Sequence, residues 1–354
     1  MEHNDSFFKP KMWVCLASMA FLIAGMCYTI FVTQLQNLHI TMLTCMGFCI
    51  LLLVLTGCPY KKIEEAILYS GNLIVPTLLI LYTIGAVMGS WIASGTVPMI
   101  IYWGLKLINP ALFLTTACIA CVITALATGS SWSTIGTVGV ALMGVGMGLG
   151  INPAMTAGAV VSGAAFGDKM SPMSDTTNVA PAVSGADLFD HIKAMVTTGG
   201  PALLASLVLF TVLGFSASGS ASSETISQIL TSLESIFHLN LLTLLPIILV
   251  LALAVMKFPA MPTLLISALV AAAIAVLAQG QSMGGIMNIM EYGFVSETGF
   301  YDIDKLLSRG GMFSMHYTAS LTVIVMAFGG ILEKCGILDE ILSEYVSLSM
   351  SMDR

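Results

Sequence analysis

One short segment combines two carboxylates with several hydroxyl groups and with residues that interrupt helices. It reads Gly-Asp-Lys-Met-Ser-Pro-Met-Ser-Asp-Thr-Thr-Asn and covers residues 167–178. Its proline and its short polar side chains disfavour a regular helix, because they remove backbone hydrogen bonds or compete for them. Freed carbonyls, hydroxyls and carboxylates would then form an all-oxygen site, which hard cations such as sodium prefer. The predicted ligands are Asp168, Ser171, Ser174, Asp175, Thr176, Thr177 and Asn178.

The two aspartates also indicate what such a site could do. A carboxylate in a poorly hydrated cavity can hold a proton or a sodium ion, but not both at once. Competition between these ions for one carboxylate is the minimal chemistry of an antiporter. We therefore predict Asp168 and Asp175 as the exchangeable groups that bind sodium.

A second polar break lies upstream, at residues 128–136, between two strongly apolar runs. Irregular backbone at membrane depth is tolerated where it lines a cavity. The residues predicted to form an unwound hinge next to Gly129, and to contribute carbonyls and hydroxyls, are Thr128, Ser130 and Ser131. Ser133 and Thr134 fit ordinary helix capping or back-bonding equally well. Gly163-x-x-x-Gly167 is a small-residue pattern that predicts close helix packing.

Downstream, Asp187, Asp190 and His191 lie at the entrance of a predicted span. Histidine changes charge near pH 6.5, so this group could sense pH or control access to the site. A solvated loop explains the same three residues, and both interpretations stay open at this point.

The composition places this polar segment inside a membrane protein. Of 354 residues, 57% are apolar and only 9% are charged, against roughly 25% charged residues in an average soluble domain. Apolar runs long enough to cross a bilayer recur along the whole chain. The net charge of −7 leaves no basic patch, which argues against nucleic acid as a partner.

We therefore predict an all-α, polytopic membrane protein. Predicted spans lie near residues 12–33, 38–57, 72–95, 97–108, 111–128, 133–150, 153–167, 194–215, 241–257, 262–279 and 316–334, of which 97–108 and 153–167 could be half-helices. Lys9 and Lys11 precede the first span, Lys61 and Lys62 follow the second, and residues 33–39 between them carry neither Lys nor Arg. This distribution predicts a cytoplasmic N-terminus.

Three connecting segments complete the predicted topology. Residues 58–70 should be cytoplasmic, as a solvated loop or as a short interfacial helix that leads into the third span. Residues 216–240 are rich in Ser, carry two Glu and lack Lys and Arg, so we expect a linker on the opposite face. Residues 280–310 should lie on that face too.

Two parts of the chain resemble each other weakly, either as copies of an internal repeat or by chance similarity between apolar, glycine-rich helices. Two pairs of spans are each followed by a polar connector and by a span that ends in glycines with the same spacing, Gly89 and Gly95 in one copy and Gly330 and Gly336 in the other. Charge placement predicts opposite orientations, as in the inverted-topology repeats of secondary transporters with discontinuous helices. The predicted organisation is an N-terminus at 1–11, a first repeat at 12–215 with a polar core at 127–192, a linker at 216–240 and a partial second repeat at 241–354. The second copy is incomplete by this count, so we expect a C-terminally truncated chain.

Three motifs then resemble a known family. They are Ala-Thr-Gly-Ser-Ser-Trp-Ser-Thr-Ile-Gly-Thr at 127–137, the segment at 167–178, and Gly-Ala-Asp-Leu-Phe-Asp-His-Ile at 185–192. Their order and spacing resemble the NhaC family of Na+/H+ antiporters. The resemblance implies sodium–proton exchange by a multi-pass protein of a bacterial plasma membrane, and a malate–lactate exchanging branch shares these motifs.

A carboxylate exchanger of the same fold is the main alternative. It would need positive charge or helix N-termini aimed at the anion, and Lys169, Lys193 and the backbone of residues 130–131 could supply them. An intramembrane aspartyl protease also needs two carboxylates, but its Gly-x-Gly-Asp pattern is replaced here by Ala165-Phe-Gly-Asp168. We therefore expect a transporter and not an enzyme.

The expected partners follow from this interpretation. They are membrane lipid and the transported ions Na+ and H+, with no cofactor. A homodimer and a missing C-terminal half are both compatible with the sequence. Cys118 and Cys121 lie in an apolar run without further ligands nearby, so we expect them to serve helix packing.

Overall fold

The computed structural model describes residues 8–33, 38–107, 109–171, 174, 177, 181, 187–217, 223–256, 258–297, 304 and 307–343. Throughout these ranges the chain forms helices and connecting segments, without a strand. The prediction of an all-α protein is confirmed.

Fourteen α-helices can be followed along the described chain. The first seven are α1 (Met12–Cys27, continued by a π-helix at Tyr28–Thr33), α2 (Leu38–Leu55), α3 (Tyr60–Ala93), α4 (Thr96–Leu107), α5 (Phe113–Thr128), α6 (Ser131–Thr134, continued by a π-helix at Ile135–Gly139) and α7 (Val140–Gly148). The other seven are α8 (Pro153–Met170), α9 (Leu188–Ala217), α10 (Ser223–Ile236), α11 (Leu245–Val255), α12 (Ala260–Ala278), α13 (Met283–Tyr292) and α14 (His316–Lys334).

Six of the described segments are long and apolar enough to cross a membrane. They are Met12–Val32, Leu38–Leu55, Ile74–Ala93, Leu188–Ser216, Met261–Ala278 and Met312–Lys334. Two further pairs would qualify as broken or re-entrant spans, with bends of 112° between Thr96–Leu107 and Pro110–Leu126 and of 98° between Ser227–Ile236 and Leu241–Leu253. The protein is therefore a polytopic membrane protein. The segments predicted at 133–150 and 153–167 are helical but fall short of the criteria for a full span.

The chain divides into two compact units. The first contains the residues of Met1–Leu79 and His316–Arg354, and the second contains Ile80–Met315. The predicted division into repeats at 12–215 and 241–354 follows sequence order and remains a prediction.

In the first unit, α3 starts earlier than predicted. Residues 61–70 were expected to form a loop or a separate interfacial helix, but they are the first turns of α3, which begins at Tyr60. These turns are amphipathic: Ile63 and Ala66 are buried in the core of the unit, while Lys61 and Glu65 lie on the surface at an ion-pair spacing of four residues. One helix continues from these turns through Gly71 and Pro76 into the apolar part.

In the second unit, α5 and α8 pack backbone against backbone. Gly163 and Gly167 of α8 face the carbonyl groups of Cys118 and Val122 on α5, and a side-chain carbon at either glycine would collide with them. The prediction that this glycine pair serves close packing is confirmed. It also fixes the height of the C-terminal turn of α8 relative to α5.

The two cysteines on α5 belong to the same packed core. Cys118 and Cys121 are fully buried among apolar side chains, and all eight cysteines of the chain are free thiols. The expectation that this pair serves packing is confirmed.

Two helices occupy segments that were predicted as linkers. Within 216–240, Ser223–Ile236 forms α10, which buries Ile229 and Leu233 in the core of the second unit. Within 280–310, Met283–Tyr292 forms α13, where Ser282 caps the N-terminus by accepting from Gly285 N. Both helices are short and amphipathic, so a search for long apolar runs does not detect them.

The contact between α5 and α8 predicts that two glycines of α8 differ sharply in their tolerance of a larger side chain. Gly163→Val would push a branched side chain into the α5 backbone, at a cost of at least about 1–3 kcal/mol. We expect a clear drop in the thermal unfolding temperature of the detergent-purified protein. The control is Gly158→Val in the same helix, where the nearest neighbouring atom is Phe210 Cε1 at 3.9 Å. Equal destabilisation by both substitutions would contradict the packing argument.

Candidate functional site

The predicted hinge between α5 and α6 is a break in the helical backbone. α5 ends at Thr128, and Gly129 follows in the left-handed region with φ of 64°. Ser130 is extended and caps α6, its hydroxyl accepting a hydrogen bond from Ser133 N at 3.2 Å. The interruption confirms the prediction of a discontinuous helix at this point.

Thr128 holds the two sides of this break together. Its Oγ1 lies 3.3 Å from Thr134 Oγ1 and also donates to the Ser130 carbonyl at 3.3 Å. Thr134 in turn donates to the same carbonyl at 3.0 Å, which is ordinary back-bonding one turn down the helix. Thr134 is therefore a structural hydroxyl, one of the two possibilities left open by the sequence.

Asp168 lies in the last turn of α8 and faces the start of α6. Its Oδ2 accepts a hydrogen bond from Ser131 Oγ at 2.9 Å. Its Oδ1 is buried and has no hydrogen-bond partner among the residues that the structure describes. A buried carboxylate oxygen without a donor is costly, by about 1–3 kcal/mol or more. A proton or a cation next to Oδ1 would remove this cost.

α8 extends further into the charged segment than predicted. Residues 167–170 were expected to be non-helical, yet they complete the last turn, and the helix ends at Ser171 with φ of −82° and ψ of 125°. Ser171 precedes Pro172 in the sequence, and the residue before a proline is driven from the helical to the extended region. Proline therefore ends the helix one residue before itself, and Asp168 and Lys169 remain helical.

The ends of α5 and α8 are tied together by a side chain. Ser171 Oγ donates to the carbonyl of Leu126 at 2.8 Å. In a continuous helix that carbonyl would accept from the amide of residue 130, so the break at Gly129 frees it. Leu126 was not predicted as part of the site, because its contribution is a backbone oxygen. The signal that could have identified it is the glycine three residues later.

The remaining predicted ligands are placed only in part. Ser174 and Thr177 are buried, and Thr177 Oγ1 donates to the carbonyls of Asp168 at 3.2 Å and Lys169 at 3.0 Å, which caps the C-terminus of α8. The other predicted ligands lie outside the described residues: Asp175, Thr176 and Asn178.

The downstream acidic group begins the next helix. Asp187 Oδ1 accepts from the backbone amides of Phe189 at 2.9 Å and Asp190 at 3.2 Å, which is the geometry of an N-terminal cap. Asp190 is exposed and lies 3.5 Å from Lys193. His191 is half-buried in the first turn. None of the hydrogen bonds described for these residues reaches Asp168, and their role in pH sensing or gating remains a prediction.

The lysines that an anion site would need point elsewhere. Lys169 is exposed although it neighbours Asp168, and the side chain of Lys193 is 80% exposed. Within the described chain no ion pair joins Asp168 to a cationic side chain. The described part of the site therefore offers oxygen ligands and negative charge, which suit a cation.

Comparison with known proteins identifies the family. The sequence profile of the Na+/H+ antiporter family matches residues 163–353, a range that includes Asp168 and the end of α8. The Na+/H+ antiporter NhaC of Alkalihalophilus pseudofirmus is 38% identical over 326 residues, which cover 91% of this chain and 70% of that protein. The chain belongs to the Na+/H+ antiporter family.

Further relatives show the range of this antiporter family. A protein of Haemophilus influenzae described as an uncharacterised Na+/H+ antiporter is 38% identical over 92% of this chain and 70% of its own length. The malate-2H+/Na+-lactate antiporter of Bacillus subtilis is 39% identical over 82% of this chain and 62% of its own length. Proteins similar to this family member thus include both an ion exchanger and a carboxylate exchanger.

The left-handed conformation of Gly129 predicts which substitutions this position tolerates. Gly129→Ala forces a side chain into the left-handed region, at about 1–2 kcal/mol, whereas Asn visits that region readily. We expect the thermal unfolding temperature of the purified antiporter to fall for Gly129→Ala and to fall less for Gly129→Asn. If alanine proved as stable as asparagine, the left-handed conformation would not be a constraint.

Proposed function

We propose that this chain exchanges Na+ for H+ across a bacterial plasma membrane by alternating access, with its N-terminus in the cytoplasm. The observation that carries the proposal is the Asp168 carboxylate, bonded through one oxygen to Ser131 and buried without a described partner at the other. Membership of the antiporter family supports the same activity.

The proposed cycle uses the two states of one carboxylate. When Asp168 is ionised, its free oxygen and nearby hydroxyls and carbonyls replace part of the hydration shell of a sodium ion. When a proton binds instead, the neutral group no longer attracts the cation. Each ion therefore displaces the other, and the protein needs no cofactor to couple their movements.

The hydroxyls around the carboxylate have distinct proposed roles. Ser131 stabilises the ionised form through its hydrogen bond to Oδ2. Ser171 and Thr177 hold the end of α8, and the Thr128–Gly129–Ser130 break brings irregular backbone to the same place. Asp175, Thr176, Asn178 and Ser174 complete the proposed ligand set from the sequence.

Alternating access requires two structural states, and an inverted repeat would supply them. Matching features support that repeat. The α1–α2 pair is followed by Gly57 with φ of 94°, and the α11–α12 pair by Gly280 with φ of 72°. The next span ends at Gly95 with φ of 83° in the first copy and at Gly336 with φ of 82° in the second. The proposed copies thus share left-handed glycines at two corresponding positions, while α13 is an additional helix in the second copy.

A carboxylate exchanger remains the second candidate, because one relative exchanges malate and lactate by its name. A carboxylate exchanger would need cationic groups at the site to bind the anion. The exposure of Lys169 and Lys193 argues against it, so sodium–proton exchange is the better supported function.

The first test measures ion exchange directly. In everted vesicles from cells without other antiporters, sodium should reverse the quenching of a pH-sensitive dye. Asp168→Asn keeps the shape of the side chain but removes its charge, so we expect the exchange rate to fall at least about 100-fold. Glu64→Gln, an equivalent loss of one carboxylate on the exposed surface of α3, should leave the rate unchanged.

Two results would contradict this proposal. Normal exchange by Asp168→Asn would show that the carboxylate is not the exchangeable group. A response to malate or lactate gradients without any response to sodium alone would favour the carboxylate exchanger.

A second test concerns the hydrogen bond from Ser131. Ser131→Ala removes the donor to Oδ2, so the ionised carboxylate loses a hydrogen bond that stabilises it and holds it in position. We expect the KM for sodium to rise about 5- to 10-fold at fixed pH. Ser131→Thr retains a hydroxyl and should stay near wild type. A lowered rate with an unchanged KM would indicate a merely structural role for the serine.

A further inference from the structure

A cavity in the first unit is lined by charged side chains that the transport site does not use. Its volume is about 420 Å³, within the range of small-molecule sites. It lies where the start of the first span, the start of α3 and the segment after α14 meet. Its charged lining residues are Lys9, Lys62, Lys334, Asp339 and Glu340.

Most of these charges are already paired. Lys9 Nζ lies 2.8 Å from Glu340, and Lys334 Nζ lies 3.0 Å from Glu333 and 3.9 Å from the ring centre of Tyr69. These contacts neutralise two of the three lysines that line the cavity. One positively charged and one negatively charged lining residue remain without an ion pair to a described residue.

Lys62 and Asp339 are the two charges that remain. Neither takes part in an ion pair with another described residue. Lys62 is half-buried, and its ammonium lies 5.9 Å from the ring centre of Phe8. Its neighbour Lys61 differs in exposure and in pairing. The Lys61 side chain is 76% exposed, and its ammonium lies 4.0 Å from the carboxylate of Glu65. The cavity therefore presents one available cation and one available anion.

Exposed aromatic residues surround the same helix ends. Trp13 opens the first span and is 52% exposed, Tyr60 opens α3 and is 62% exposed, and Tyr69, which contacts Lys334, is 42% exposed. In membrane proteins Trp and Tyr concentrate at the level of the lipid headgroups. These exposed aromatic residues are what a position of the cavity at the level of the lipid headgroups requires.

We propose that this cavity binds the headgroup of a phospholipid that carries a primary amine, of the phosphatidylethanolamine type. The lipid phosphate would pair with Lys62, and its ammonium would pair with Asp339. Such a headgroup carries one charge of each sign, which matches the two unpaired groups. Charged pockets between membrane helices are a known means of holding lipid headgroups, and each contact would be a charge-assisted hydrogen bond.

The lipid has a structural consequence for the first unit. Lys62 belongs to α3, while Asp339 follows α14, so the two charges belong to parts of the chain far apart in sequence. A headgroup bound to both would join these parts. Because a ligand that binds only the folded state stabilises that state, the lipid should raise the unfolding temperature.

The test uses native mass spectrometry of the full chain, purified in detergent and freed of lipid. The probes are short-chain phosphatidylethanolamine, phosphatidylcholine and phosphatidylglycerol, with inorganic phosphate as a competitor. We expect phosphatidylethanolamine to bind about tenfold more tightly than phosphatidylcholine, whose quaternary ammonium cannot donate a hydrogen bond to Asp339. Asp339→Asn should remove this preference.

Matched lysine variants distinguish a specific contact with Lys62 from a general effect of surface charge. Lys62→Gln should weaken phosphatidylethanolamine binding about tenfold, Lys62→Arg should retain most of it, and Lys61→Gln should have no effect. Thermal unfolding without lipid would verify that each variant is folded.

Several outcomes would overturn the proposal. They are equal binding of the ethanolamine and choline lipids, a preference for phosphatidylglycerol, equal effects of Lys61→Gln and Lys62→Gln, and displacement of the lipid by millimolar inorganic phosphate. The last result would indicate a site for free phosphate and not for a lipid.

Discussion

The site depends on one constraint, which is the burial of a carboxylate beside a break in a helix. Asp168 has a donor for only one of its two oxygens among the described residues. A carboxylate in a membrane interior is costly unless a partner compensates its charge, and this cost is the basis of the proposed ion site. The other contacts described for the site hold that carboxylate in place.

The position of the carboxylate is set by backbone contacts. Gly163 and Gly167 let α8 approach the carbonyls of α5, so the last turn of α8 lies beside the end of α5. Ser171 then bonds to the carbonyl that the break at Gly129 releases. Packing, helix termination and ligand placement are therefore consequences of the same few residues, and none of them depends on a long, flexible side chain.

The sequence predicted those parts of the fold that depend on local chemistry. Long apolar runs predicted the main spans, the glycine next to Ser130 predicted the broken helix, and the charged segment predicted Asp168 as a site residue.

Other features depend on tertiary contacts. α10 and α13 are too short and too polar to stand out, and they are stabilised by burying Ile229 and Ile286. The start of α3 was predicted either as a loop or as a separate interfacial helix; the structure shows its first turns continuous with the span, with Ile63 and Ala66 buried in the core. The end of α8 was predicted a turn too early, because proline acts on the residue before it. Leu126 contributes a backbone oxygen, which cannot be predicted from a pattern of side chains.

The backbone-to-backbone contact between α5 and α8 separates two properties that often change together. The depth of Asp168 is fixed by glycines that tolerate no side chain, whereas the hydroxyl next to it is supplied by Ser131 from another helix. The scaffold can therefore stay constant while the immediate surroundings of the charge vary by single substitutions. Under the proposed mechanism, ion preference is thus open to gradual adjustment, by evolution or by design, without rebuilding the helices that hold the charge.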